Sequence, residues 1–182
     1  TSYSKTYGGA PFTVRASPSV GTGAVTYSVS GSACTVNSSA GLVTIAGAGS
    51  CSISASVASD GTYDVASTTT SATITVAKAA QTITFAHPAS SGATYGDAPI
   101  PVTPSSTSEL TVTLSSGNSA VCTVSGGGIN IVAPGTCAIT ASQAGNANYL
   151  AASDVVRSFT ITKANQATLS MTSASTAVFG ET

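Results

Sequence analysis

Residues 131–139, Ile131-Val132-Ala133-Pro134-Gly135-Thr136-Cys137-Ala138-Ile139, restate residues 45–53, Ile45-Ala46-Gly47-Ala48-Gly49-Ser50-Cys51-Ser52-Ile53. Each copy has an apolar start, a glycine-containing break and then alternating residues through a cysteine. Alternation with a period of two is the mark of a strand that buries one face. The glycines lie between two such strands, where they supply the positive φ of a tight turn. A phosphate-binding reading of these loops needs a helix N-terminus after the glycines, and here a strand follows.

Outward from these copies the correspondence continues in order. Ala33-Cys34-Thr35-Val36 matches Val121-Cys122-Thr123-Val124, Val25-Thr26-Tyr27 matches Val112-Thr113-Leu114, and Thr6-Tyr7-Gly8-Gly9-Ala10-Pro11-Phe12 matches Thr94-Tyr95-Gly96-Asp97-Ala98-Pro99-Ile100. The copies close on Ile74-Thr75-Val76-Ala77-Lys78-Ala79-Ala80-Gln81 and Ile161-Thr162-Lys163-Ala164-Asn165-Gln166. Repeats of this kind divide the chain into 1–78, 79–163 and 164–182. The first unit has no counterpart of the strand Thr82 to Ala86 that opens the second. The last segment, with Gln166-Ala167-Thr168-Leu169-Ser170 and Val178-Phe179-Gly180-Glu181, reads as the opening of a third unit or as a strand donated to a neighbour. Donation of Ala167, Thr168, Leu169, Ser170 and Met171 to another copy would be β-augmentation, and head-to-tail contact of that kind builds a filament.

The composition agrees with an all-β chain. Ser and Thr make up roughly a third of the 182 residues, charged residues 6% and hydrophobic residues 42%. Thr suits the exposed face of a strand, and helix formers are scarce. Low hydrophobicity with high net charge marks disorder, and this chain has neither. Alternating runs are expected as strands at 25–29, 42–45, 52–56 and 72–76, with partners at 110–114, 129–132, 138–142 and 158–161. About seven runs in a repeat of about 85 residues fit an immunoglobulin-like sandwich, so two such domains in tandem are expected.

A net charge of -1, with Lys5, Arg15, Lys78, Arg157 and Lys163 scattered, gives no field for nucleic acid. No apolar run approaches the ~20 residues that cross a bilayer, so no membrane insertion is expected. The four cysteines fall two per repeat, and equal placement pairs Cys34 with Cys51 and Cys122 with Cys137. Each disulfide closes a loop of about 15 residues, worth roughly 3 kcal/mol by chain entropy, and places the chain in an oxidising, extracellular setting. Four zinc ligands cannot be assembled from such pairs, and no cofactor is expected.

His87 is the only histidine, precedes Pro88 and has no evident nucleophile, so it reads as a turn residue. Asp60 and Asp64 come nearest to a calcium loop, but Asn146 and Leu150 stand in their places in the second unit. A catalytic carboxylate pair for glycoside hydrolysis has no better support in a chain without tryptophan, and no enzyme is expected. Tyr63 and Tyr149 occupy equivalent places and are expected to pack at a strand corner with hydroxyls bonded to backbone. Tyr7, Tyr95 and Phe179 precede their glycines and are expected at the interdomain joints. Asn37-Ser38-Ser39 is a formal N-glycosylation acceptor.

Tyr95-Gly96-Asp97-Ala98-Pro99, Val121-Cys122-Thr123-Val124, Ala133-Pro134-Gly135-Thr136-Cys137, Ala141-Ser142-Gln143-Ala144-Gly145-Asn146-Ala147-Asn148-Tyr149 and Thr162-Lys163-Ala164-Asn165-Gln166 together resemble bacterial immunoglobulin-like repeats. More narrowly they look like the MBG-type "YGX" repeats carried in long arrays on large bacterial surface proteins. The resemblance implies a secreted, cell-surface stalk or spacer that projects an adhesive tip, with host or matrix glycans as partners of a tip outside this chain. The first unit departs from it, with Gly9 in place of the Asp and Val57-Ala58-Ser59-Asp60 in place of Gln-Ala-Gly-Asn. Short linkers between repeats also argue for a stalk. The alternatives are a filament subunit that joins copies of itself head to tail by strand exchange, and a carbohydrate-binding adhesive module.

Overall fold

The structure, a computed structural model, describes residues 1–67, 71–89, 92–167 and 169. In the first unit the strands are β1 (Ser2–Thr6), β2 (Phe12–Thr13), β3 (Val25–Ser30), β4 (Cys34–Val36), β5 (Leu42–Ile45), β6 (Gly49–Val57), β7 (Ala66–Ser67) and β8 (Ala72–Ala77). The second unit has β9 (Ile83–Thr84), β10 (Ala93–Thr94), β11 (Ile100–Pro101), β12 (Ser105–Ser106), β13 (Thr113–Ser116), β14 (Cys122–Ser125), β15 (Gly128–Ile131), β16 (Gly135–Ser142) and β17 (Val155–Thr162). The described residues contain no helix.

Two immunoglobulin-like sandwiches stand in tandem. In the first, β1-β8-β6-β3 face β2-β5-β4; in the second, β10-β17-β16-β13 face β11-β15-β14, with β12 and β9 paired at the edge. In immunoglobulin lettering, β2-β5-β4 and β11-β15-β14 take the B-E-D places, and β3-β6-β8 and β13-β16-β17 the C-F-G places. The period-two pattern sets the faces: Cys51, Ile53 and Ala55 of β6 point inward with Ile74 and Val76 of β8, as do Cys137, Ile139 and Ala141 of β16 with Phe159 and Ile161 of β17. Full burial of a side chain such as Ile74 or Ile139 is worth about 1.5–3 kcal/mol. Each core is its own cluster, one built around Val43, Ile53 and Ile74, the other around Ile129, Ile139 and Phe159.

One disulfide ties the facing sheets in each sandwich. Cys34 of β4 bonds Cys51 of β6 across 17 residues of sequence, and Cys122 of β14 bonds Cys137 of β16 across 15. The bridges thus run from D to F, where antibody domains join B to F.

Several local expectations are corrected. The run expected over 110–114 becomes a strand only from Thr113, because the preceding stretch is a turn: Glu109 has a φ of 62°, its N–H bonds Ser106 O at 3.1 Å, and Ser106 Oγ donates to Leu110 O at 2.7 Å. Gly49 and Gly135, expected within a turn, open β6 and β16 with φ of 135° and 146°. A side chain at either position would carry the strain of that conformation. The strand expected over Thr82 to Ala86 is a ladder only at Ile83–Thr84, against Ser105–Ser106, extended by the bond of Thr107 N to Thr82 O at 3.0 Å, and Phe85 then turns into the core at 3% exposure. Finally, β1 lies parallel to β8 over five residues, and β10 lies parallel to β17 over two.

Candidate functional site

Asp60, Asn146, His87 and the four cysteines, the side chains singled out in the sequence, make local structural contacts. Asp60 accepts N–H bonds from Thr22 at 2.7 Å, Tyr63 at 2.9 Å and Thr62 at 3.0 Å. These donors, Thr22 first, hold its carboxyl well below the usual range, at about 2. Asn146 does the same work in the second unit, its Oδ1 accepting from Asn148 N at 2.8 Å and Tyr149 N at 2.9 Å. Both are Asx turns. Asp64 borders the same cleft as Asp60, and no group of three or more His, Cys, Asp and Glu residues gathers among the described residues. The single histidine, His87, is exposed with Nε2 at 3.0 Å from Ser158 O. All four cysteines are disulfide-bonded.

The richest constellation is the joint between the units. The linker residue Ala79 forms a parallel bridge with Tyr149, its N–H donating to Asn148 O and its carbonyl accepting from Leu150 N, each at 2.9 Å. Lys78 Nζ donates to Asn146 O at 2.7 Å. From the other side, Ala48 N of the first unit donates to Asn148 Oδ1 at 2.9 Å, and the Tyr7 ring meets Tyr149 edge-on at 5.4 Å. Each hydrogen bond is worth about 0.5–1.5 kcal/mol net, and the aromatic pair a similar amount. The 146–150 turn of the second unit therefore grips the linker and the first unit at once.

Next to the joint, Gln81 is 6% exposed, a buried polar side chain. Its Nε2 donates to Gln143 Oε1 at 2.6 Å and Leu150 O at 2.7 Å, and its Oε1 accepts from Ser108 Oγ. The β12–β13 loop and both ends of the 143–150 stretch between β16 and β17 are thereby pinned to the start of β9. The recurrence of Gln81 as Gln166 was the available sequence signal. For Asn148, replaced by Thr62 in the first unit, the sequence carried none.

The aromatic expectations divide. Tyr7 lies in the joint; Tyr95 lies at the far end of the second unit, 50% exposed; Phe179 lies outside the described residues. The turns of Tyr63 and Tyr149 are held by Asp60 and Asn146 rather than by phenol hydroxyls, and the hydroxyl that meets backbone is that of Tyr27, which accepts from Ala16 N at 2.9 Å. Of the segment 167–171, Ala167 and Leu169 are exposed, Leu169 at 95%, while Thr168, Ser170 and Met171 lie outside the described residues.

No family model matches the chain, and no curated protein does. Among solved structures, Drosophila N-cadherin EC1-4 is similar at 13% identity with a TM-score of 0.35, over 78% of this chain and 41% of that one. Mouse protocadherin-24 EC1-3 is similar at 15% identity with a TM-score of 0.34, over 88% of this chain and 61% of that one. The chain thus spans less than two thirds of either. A likeness this slight adds nothing to the fold read from the strand order.

Proposed function

We propose that the chain is a non-catalytic structural segment, a stalk or spacer, of a bacterial cell-surface adhesin or extracellular fibre, built from units at 1–78 and 79–163 with a third opening at 164–182. The observation that carries this reading is the joint: a linker bonded into the 146–150 turn, which also bonds Ala48 and packs on Tyr7, favours one fixed orientation of the units. A repeat whose main interaction is with its neighbour makes a quasi-linear object. One disulfide per unit supports an oxidising, extracellular setting. The resemblance to MBG-type repeats supports the bacterial surface.

Small-angle scattering tests the reading. Two sandwiches end to end, each with longest strands of 8 or 9 residues at about 3.4 Å per residue and loops at both ends, give a maximum dimension of about 70–80 Å. Asn148→Ala, which removes the acceptor of Ala48 N–H, should broaden the distance distribution and leave the melting of each unit nearly unchanged. A folded-back wild-type particle of about one sandwich length, near 35–45 Å, would contradict it.

A further inference from the structure

The two units share one backbone at the surfaces that meet in the joint, and they differ in the side chains that touch across it. The corner between β5 and β6 has its counterpart between β15 and β16. Ala46 N and Gly47 N both donate to Ala33 O, at 2.9 and 3.1 Å, and Val132 N and Ala133 N both donate to Val121 O at the same distances. The turns match as well: Asp60 Oδ1 accepts from Thr62 N and Tyr63 N as Asn146 Oδ1 accepts from Asn148 N and Tyr149 N. On that common backbone Gly47-Ala48 is replaced by Ala133-Pro134 in the second unit, and Asn148 stands where the first unit has Thr62.

These substitutions fall on the contact itself. Ala48 N donates to Asn148 Oδ1 at 2.9 Å, and Pro134 has no N–H to donate. A Cβ at Gly47 would lie 3.2 Å from the same oxygen, tighter than an ordinary contact, and Ala133 carries that Cβ. The other joint contacts make no such distinction. Tyr7 and Tyr95 hold equivalent places, as do Tyr149 and Tyr63, and Lys78 recurs as Lys163. The backbone bonds of Ala79 with Asn148 and Leu150 ask for no particular side chain.

We propose that Asn148 and the Gly47-Ala48 corner are a matched pair that selects which unit is accepted behind the first, so that the order of units is written in side chains at the joint. The tyrosines and the linker bonds supply a grip that either unit could offer. The matched pair makes one neighbour fit better than another. An Asn148-type turn set on a corner such as Ala133-Pro134 would meet a Cβ and leave its amide oxygen without the donor. Loss of a partner combined with steric conflict is how similar interfaces are kept apart. Asn148 is therefore a specificity-determining residue, and Tyr149 beside it is not.

This inference rests on the rod reading above, and the test separates the two by transplanting each unit's residues into the other within the full chain. One variant carries Gly47→Ala with Ala48→Pro, a second carries Asn148→Thr, and a third carries all three. Each new residue already occupies the equivalent backbone position in the other unit, so both sandwiches should fold and keep their melting temperatures. The readout is amide hydrogen exchange at Ala79 and Leu150, whose N–H groups are bonded where the 146–150 turn holds the linker. Each of the first two variants should speed that exchange by about two- to twelvefold, the worth of one hydrogen bond. The combined variant should be no faster than the faster of the two, because the contact is lost only once. Exchange within twofold of the wild type overturns the inference, as does a combined effect equal to the product of the separate ones. Equal acceleration of the β6 amides in the first variant also overturns it, because the corner would then act within the first sandwich. Wild-type amides at Ala79 and Leu150 without protection would sink the rod and this inference together, whereas protected amides that ignore the transplants overturn this inference alone.

Discussion

Replacing Phe85 with alanine should destabilise the second unit alone, and strongly. The side chain is 3% exposed, and the strand that delivers it has only two paired residues, Ile83 and Thr84, against Ser105 and Ser106. Its carbonyl takes one more bond, from Arg157 Nε at 3.1 Å, which the substitution leaves possible but no longer anchors. Truncating a buried phenylalanine costs about 3–5 kcal/mol, and an edge site that can partly collapse belongs at the lower end. At roughly 4–8 °C per kcal/mol for a unit of this size, about 3 kcal/mol lowers its melting temperature by about 12–24 °C. Because the first core contains neither Phe85 nor any residue in contact with it, the first unit should melt where it did before. Differential scanning calorimetry, with amide signals assigning each transition to a unit, reads both numbers. A drop of less than about 4 °C, or an equal drop in both units, would refute the reasoning that this short strand is held by its phenylalanine and that the cores are separate.

Two further outcomes follow from the same contacts. Asp60 has a folded pKa of about 2 against an ordinary 3.8, so its stabilising contribution is fully present above about pH 4 and disappears as the pH falls through about 2. Asp60→Asn, which keeps one acceptor oxygen and does not titrate, should therefore show a weaker loss of first-unit melting temperature between pH 5 and 2 than the wild type, and parallel acid profiles would count against the assigned bonds. Reduction of Cys34–Cys51 and Cys122–Cys137 should cost each unit roughly 3 kcal/mol, read as an earlier denaturant midpoint for both transitions.

Much of the architecture was readable because alternation and repetition reinforce one another. Cys51-Ser52-Ile53 and Cys137-Ala138-Ile139 share a face by simple period two, and their recurrence about 85 residues apart defines two sandwiches before any contact is known. The parallel pairing of Ser2–Thr6 with Ala72–Ala77 was not readable, since partners some 70 residues apart leave no local trace. The shift of a strand start from Leu110 to Thr113 turned on a non-glycine residue, Glu109, adopting a left-handed φ, which propensity argues against. The joint was half legible: Tyr7 was expected there from its place before a glycine, whereas Asn148 reaches across to Ala48 from a turn whose composition says only that it is a turn. Gln81 recurs in the sequence as Gln166, but its role has meaning only once Gln81 is seen buried against Gln143 and Leu150.

The claim that the joint holds the two units as one rod is tested most directly by residual dipolar couplings of backbone amides in a weakly aligned sample of the wild-type chain. If the 146–150 turn locks the linker and Ala48 as described, both units report one alignment tensor of the same magnitude and orientation. Tensors that differ in magnitude between the units would mean independent motion about Lys78–Gln81, and the stalk account would then fail at its central contact.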